Sequence, residues 1–265
     1  MKNVPTSEKR YLGFNQNVFW LGWVSFLTDV SSEMILNLLP LLLKNVLGVG
    51  TAVIGVIEGV ADSTATLTRL PSGWLSDRLG RRKGLTFLGY GLSTVSKPFL
   101  YLASSWGLVL GVRFADRVGK GVRTAPRDAL LADSTSQEDR GRNFGFHRAM
   151  DTAGAMVGIL GAALIVFLMQ RGNVNLERNT FRTIVIVGTI PAVLALIVLW
   201  WFVREVGTSK KSAIATGLVP SESGRFPTAF KVFLPIAMLF TLANSSDAFL
   251  LLRAQNLGLS VLQIL

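Results

Sequence analysis

Two carboxylates, Asp29 and Glu33, stand four residues apart in an otherwise apolar stretch, with Asn37 four residues further and Pro40 beyond it. At helical spacing Asp29, Glu33 and Asn37 share one face, each a turn from the next. An acid in the middle of a membrane helix costs roughly 2.5 to 3.5 kcal/mol on insertion scales. Two such acids one turn apart also repel each other, so the pair is suited to taking up and releasing a proton or cation. Neutralised by bases elsewhere in the chain, the same pair would serve folding alone, and both readings stand here. A second stretch repeats the spacing with Glu58 and Asp62, followed by Ser63, Thr66 and Arg69. Glu58 falls toward the end of its segment, where a gating acid and a solvated interfacial acid are both open. A third set is mixed: Arg113, Asp116, Arg117 and Lys120 fall at i, i+3, i+4 and i+7, one acid and three bases on a single helical face. His147, Arg148 and Asp151 open a further segment, and Asn244, Ser245, Ser246 and Asp247 are the polar residues of the last one.

These sets do not make an enzyme, because no nucleophile and base recur at one depth. The chain has no Cys and a single His, which excludes a disulfide framework, a thiolate site and a multi-His metal site. Neither a cofactor nor a metal is expected. Gly119-Lys120-Gly121 has the wrong spacing for a phosphate-binding loop. Lys97, beside Pro98, is expected to run its stem outward and keep its ammonium in water. His147, close to a helix end, reads as interfacial. Asn244-Ser245-Ser246 has the form of a glycosylation acceptor, but it falls inside an apolar segment and is discounted.

The elements that must position these residues are set by composition. Half of the 265 residues are apolar and 16% are charged, against roughly 25% charged in soluble domains. Lys and Arg number 27 against 16 Asp and Glu, a formal charge of +11. That excess would suit nucleic acid if it formed one stripe, but here it is broken into clusters between apolar runs, so nucleic acid is not an expected partner. A membrane helix needs about 20 mostly apolar residues. Seven segments qualify: 17–43, 51–75, 84–103, 105–124, 143–168, 182–203 and 229–252. Basic residues gather at alternate ends of these segments: Lys2, Lys9 and Arg10; Arg78, Arg81, Arg82 and Lys83; Arg123, Arg127, Arg140 and Arg142; Arg204, Lys210, Lys211 and Arg225. That bias predicts a multi-pass protein of the cell membrane with a cytoplasmic N-terminus. The first apolar run is too long for a signal-peptide core and no small-residue cleavage site comes after it, so it is expected to stay as an anchor.

The tight turn between the second and third segments carries a signature, Gly73-Trp74-Leu75-Ser76-Asp77-Arg78-Leu79-Gly80-Arg81-Arg82-Lys83. Gly73 permits close helix approach, Asp77 is a carboxylate at a membrane boundary, Gly80 allows a sharp reversal, and the bases hold the loop on the cytoplasmic side. The pattern G-x-L-x-D-R-x-G-R-R resembles the cytoplasmic signature of the major facilitator superfamily. Arg117 and Gly121, at R-x-x-x-G spacing, resemble that superfamily's fourth-helix motif, whose Arg is implicated in proton coupling; Arg113 is the alternative match. The wider run from Arg113 to Asp128 resembles a group of uncharacterised bacterial and archaeal permeases. Gly154, Gly158 and Gly161 give the fifth segment a narrow packing face, but Ile159 stands where the family's antiporter motif has Pro, a departure that weakens an inference of antiport.

The stretch from Arg204 to Pro227 reads as a linker, and the segment after it resembles a repeat of the beginning. Phe26 and Ser31-Ser32-Glu33 align with Phe240 and Ser245-Ser246-Asp247, and Leu47-Gly48-Val49 recurs as Leu257-Gly258-Leu259. The resemblance implies an all-α, polytopic membrane protein of the major facilitator type: a six-helix N-terminal bundle over 1–203, a cytoplasmic linker over 204–227, and helix 7 with the start of helix 8 over 228–265. The second bundle would be truncated, leaving a piece of a protein near 400 residues. The implied function is secondary active transport of a small solute by alternating access, coupled to protons. A transport-incompetent membrane fragment is one alternative, and efflux of drugs or amphiphiles rather than uptake of a small anion is another. The substrate and proton pathway would then draw on Asp29, Glu33, Asn37, Glu58, Asp62, Arg113, Asp116, Arg117, Asp151 and Asp247. Gly73, Asp77, Arg78, Gly80, Arg81 and Arg82 would form the cytoplasmic gate. In the family the gate acid meets a helix of the second half.

Overall fold

The computed structural model describes residues 10–170, 173–206, 228–243 and 246–265. The stretch beyond Val206 that was expected to be a linker, together with Asn244 and Ser245, therefore lies outside the described residues. A two-residue ribbon, β1 (Arg10–Tyr11) against β2 (Phe14–Asn15), leads into a helical bundle. The helices are α1 (Gln16–Leu36), α2 (Leu39–Leu41), α3 (Thr51–Leu79), α4 (Arg82–Ser96), α5 (Trp106–Asp133), α6 (Arg140–Gln170) and α7 (Arg178–Phe202), then α8 (Thr228–Ala243), α9 (Asp247–Asn256) and α10 (Val261–Ile264).

Three expected spans are not single α-helices, and one of them, 84–103, is α4 followed by the 3-10 turn Lys97–Leu102. The first span breaks after Leu36, and the chain resumes as α2 and a π-helical turn, Leu42–Val46. Pro40 explains the break, since its nitrogen has no hydrogen to donate to Leu36 and its ring collides with that carbonyl. The last span is likewise divided, into α8 and α9. In the other direction, α3 and α5 run on past the expected ends at 75 and 124, reaching Leu79 and Asp133 with Pro71 and Pro126 inside them.

Glycine decides which helices meet. A Cβ on Gly154 would sit 2.4 Å from the Phe26 carbonyl oxygen, and one on Gly158 would sit 2.6 Å from that of Val30, so α6 lies directly against the backbone of α1. Gly89 and Gly119 do the same for α4 and α5, each 2.6 Å from the other's carbonyl oxygen by that measure. The expected narrow face of the fifth segment is thus present. On the opposite faces, Met156, Leu160, Leu164 and Phe167 of α6 and Ile186, Ile190 and Ile197 of α7 are exposed, as side chains facing lipid would be. Trp200 and Trp201, near the end of α7, are exposed too, as residues of an aromatic belt would be.

Three described stretches, Gln16–Val46, Arg140–Gln170 and Arg178–Phe202, are long and apolar enough to cross a membrane by length and composition. Helices α3 and α5 have the length but carry internal charge, of which Glu58, Arg113, Asp116 and Arg123 are buried. Buried apolar residues form two clusters, one around Ile35, Leu38, Ile57 and Phe181 and the other around Val18, Leu21, Tyr90 and Leu199. Between them lies a buried polar layer that includes Ser31, Ser93, Lys97, Arg113, Asp116 and Arg123.

Candidate functional site

The polar layer opens into a cavity of about 540 Å³ bounded by α1, α3, α5, α8 and α9. Its walls carry Glu33, Asn37, Glu58, Asp62, Arg113, Arg117, Lys120 and Asp247. A smaller recess of about 120 Å³ shares Glu33, Asn37, Arg113, Arg117 and Lys120 with it and adds Asp29, Asp116 and Arg123. Nine of the ten residues assigned to the pathway from the sequence therefore line the cavity or the recess that shares its walls. The exception is Asp151, whose carboxylate faces His147 at 3.6 Å and Arg148 at 3.5 Å on its own helix.

Each wall is built from local sequence. On α1 the Asn37 amide donates to Glu33 at 2.8 Å, so the helix break caused by Pro40 holds this acid at the cavity edge. On α3 Glu58 is buried and paired with Arg113 of α5, which corrects the solvated alternative. Its depth in the bundle comes from α3 packing along α5. One turn on, Asp62 is mostly exposed and reaches Arg117 only at 3.7 Å.

Lys97 overturns its expectation. It is 1% exposed, and its ammonium donates to the hydroxyls of Ser31 at 3.0 Å and Ser32 at 2.9 Å on α1 instead of running outward. Lys97 opens the 3-10 turn Lys97–Leu102, with Pro98 second in it, and the hydroxyls on α1 satisfy inside the bundle the ammonium that an outward-running stem would have placed in water. His147 is also buried, 3% exposed, because the first turns of α6 pack against α1 rather than end at an interface. Arg123 lies over the Tyr90 ring at 4.4 Å and donates to Ser93 at 2.7 Å, while Arg127 reaches Ser25 at 3.4 Å. These bases tie α5 to α4 and α1.

The signature turn is built as its residues imply. Gly80 ends α3 in the left-handed conformation, φ 60°, and its N–H meets the Ser76 carbonyl at 3.0 Å. A Cβ on Gly73 would lie 3.3 Å from that of Ala125 on α5. Asp77 is largely exposed, 3.7 Å from Arg82, and Arg82 itself is paired with Asp133. Arg78 lies over Trp74.

Sequence reasoning missed Glu205. Its two carboxylate oxygens accept the N–H groups of Arg82 and Lys83, each at 2.9 Å, so the end of α7 caps the start of α4. Nothing in the local pattern marks it, since the partners are more than 120 residues apart. An N-cap carboxylate contributes about 1 kcal/mol. Glu205→Ala should therefore lower the unfolding midpoint of the detergent-solubilised protein by a few degrees, and an unchanged midpoint would remove this cap from the account.

The suggested repeat has a backbone counterpart. Gly48 and Gly258 both have positive φ, 65° and 89°, each just after a helix end and three residues before the next helix begins. L side chains rarely adopt that conformation, so the shared Leu-Gly pair marks a shared turn.

A helical bundle whose outer faces are apolar and whose charge turns inward around a central cavity is a multi-pass membrane protein. Its family is shown directly: the chain belongs to the Major Facilitator Superfamily, whose profile matches residues 21–265. An uncharacterised MFS-type transporter of Methanocaldococcus jannaschii is 35% identical over 255 residues, covering 96% of this chain and 61% of that protein. An uncharacterised protein of Mycobacterium tuberculosis is 36% identical over 185 residues, covering 70% and 43% respectively. The chain thus spans less than two thirds of the length of these relatives. Among solved structures, a POT family transporter in complex with 5-aminolevulinic acid superposes with a TM-score of 0.66 at 18% identity, over 91% of this chain and 50% of that one. An inward-facing bacterial homologue of the lysosomal transporter Spinster gives 0.60 at 18% identity, over 71% and 42%. At these identities the likeness is one of fold.

Proposed function

We propose that the protein is a secondary transporter of the cell membrane that moves a small polar solute by alternating access, coupled to protons through Asp29 and Glu33. One observation carries this reading: a charge-lined cavity inside the bundle in which the acids of α1 have no basic partner within ion-pair distance among the described residues. Uncompensated carboxylates in a membrane interior are costly and mark ion or proton pathways by default. The cavity volume falls in the range of small-molecule sites, about 300 to 1,000 Å³. Its apolar lining is limited to Leu36, Pro40, Ala248 and Leu251 with no aromatic side chain among the described residues, which supports a hydrophilic solute over a drug or amphiphile.

In this reading the basic turn from Arg78 to Lys83 is cytoplasmic, as is the N-terminus, and Asp77 remains available for a gate contact. The division into a first bundle over 1–203, a linker over 204–227 and the beginning of a second bundle over 228–265 agrees with the paired glycine turns. The solute and the proton would be the partners, and the bilayer the surroundings.

The test is transport in proteoliposomes by the protein at its native length. Asp29→Asn and Glu33→Gln should abolish accumulation driven by a pH gradient while leaving solute binding measurable. Uphill transport at the wild-type rate by both variants would show that the acids are structural.

A further inference from the structure

The proposed transport leaves the solute's chemistry open, and the α5 wall of the cavity narrows it. Arg113, Arg117 and Lys120 project from one face of this helix into the cavity. Arg113 is held by Glu58, yet its Nε and Nη1 atoms are buried without a hydrogen-bond partner, as is Nε of Arg117. The carboxylate partner of Arg117 is Asp62, at 3.7 Å, beyond hydrogen-bond distance and with 69% of its side chain exposed. Lys120 lines both the cavity and its recess and is exposed to that space, and its ammonium makes no hydrogen bond or ion pair among the described residues. Two neighbouring cations with unspent donors in a membrane interior require an acceptor.

We infer that Arg117 and Lys120 form an oxyanion-binding site, so that the transported solute carries a carboxylate, phosphate or sulfonate bridging the guanidinium and the ammonium. The inference rests on the transport reading for the solute's fate, but the site itself is defined by these side chains alone. Arg117 and Lys120 are spaced i, i+3, which places both groups on one helical face and within reach of a single small anion. The incoming oxyanion replaces Asp62 at Arg117, a contact already too long to hold the guanidinium firmly. Charge-assisted hydrogen bonds to both cations then fix the anion. Glu33 and Asp247 on other walls of the same cavity repel a second negative group, so the site selects a solute with one oxyanion rather than a polyanion.

The experiment uses the intact protein in lipid nanodiscs and follows its unfolding midpoint against inorganic phosphate, acetate and methanesulfonate, each compared with chloride at equal ionic strength. At least one of the three should stabilise the protein saturably, and the strongest of them identifies the oxyanion geometry. Lys120→Gln and Arg117→Gln should each weaken its apparent affinity about tenfold, the factor that 1.4 kcal/mol of lost binding gives. Lys120→Arg should retain most of it. Asp62→Asn should tighten binding, because it frees Arg117 from its competing carboxylate, an effect that a merely structural role for these cations would not produce. The site is overturned if none of the three oxyanions stabilises beyond chloride, or if stabilisation is the same in both Gln variants. Uptake assays separate this inference from the one it rests on. Oxyanion stabilisation without gradient-driven uptake removes the transport reading and leaves the site. Uptake of a solute lacking any oxyanion, unaffected by Lys120→Gln, removes the site and leaves transport.

Discussion

Arg113→Leu should destabilise the bundle more than any other single charge removal, by about 3 to 5 kcal/mol, because it leaves Glu58 buried without its counter-charge. Both partners are deep: side-chain exposure is 4% for Arg113 and 11% for Glu58. Water therefore reaches only a small part of either side chain and replaces little of the missing partner. The same logic predicts a recovery. Replacing the pair together, by Arg113→Leu with Glu58→Leu, removes both desolvation penalties along with the attraction between the charges, and the double variant should unfold close to wild type. Unfolding midpoints in mild detergent, measured for the wild type, both single variants and the double variant, give the coupling between the two sites. An Arg113→Leu midpoint equal to wild type, or a double variant no more stable than the singles, would show that the pair does not hold α3 to α5. The double variant should still fail to transport, since Arg113 and Glu58 both face the cavity.

Gly158→Val should prevent the protein from reaching a single folded state. Its Cβ would fall 2.6 Å from the Val30 carbonyl oxygen and 3.1 Å from the Glu33 Cβ, and the first of these is backbone that cannot rotate away. Helix α1 would have to move off α6, which also displaces Glu33 from the cavity edge. Overpacking costs about 1 to 3 kcal/mol where side chains can adjust, and more where they cannot. Two other glycines of the same helix provide the contrast. A Cβ on Gly161 meets the flexible end of Met34 at 3.4 Å, and one on exposed Gly145 meets nothing within 4 Å. Gly161→Ala should be tolerated, and Gly145→Ala should be neutral or stabilising by up to about 1 kcal/mol, the helix propensity difference. Size-exclusion profiles of the three variants in detergent decide the matter. A monodisperse Gly158→Val protein with a wild-type midpoint would contradict the close contact of α1 and α6.

The residues involved in these two experiments differ in how far the sequence alone exposes them. The glycines of α6 recur on one face of an apolar helix, and such spacing in a membrane segment already implies close packing. The Gly73 to Lys83 turn is equally legible, because Gly80 in the left-handed region and bases around a short reversal are local chemistry. The pair of Arg113 and Glu58 is half legible. The helical spacing of Arg113, Asp116, Arg117 and Lys120 shows a charged face, but not what it faces. Lys97 and His147 depart from expectation for a common reason: each reads one way within its own segment, whereas its burial comes from other helices packing against that segment.

By itself, the sequence determined the number of apolar segments, the reversals between them and the faces on which charge collects. Those properties depend on residues within a few turns of one another, and helix periodicity and membrane thickness translate them directly into structure. Tertiary structure alone decided which of these charges are spent on one another. Glu58 is held by Arg113, Lys97 by two serine hydroxyls, and the start of α4 by Glu205. The Lys120 ammonium is left unpaired on the cavity wall among the described residues. Pairing of that kind is set by helix contacts between residues 55 to more than 120 apart, and it acts in an interior where a partner within about 4 Å decides whether a charge is fixed in place or free to meet a solute.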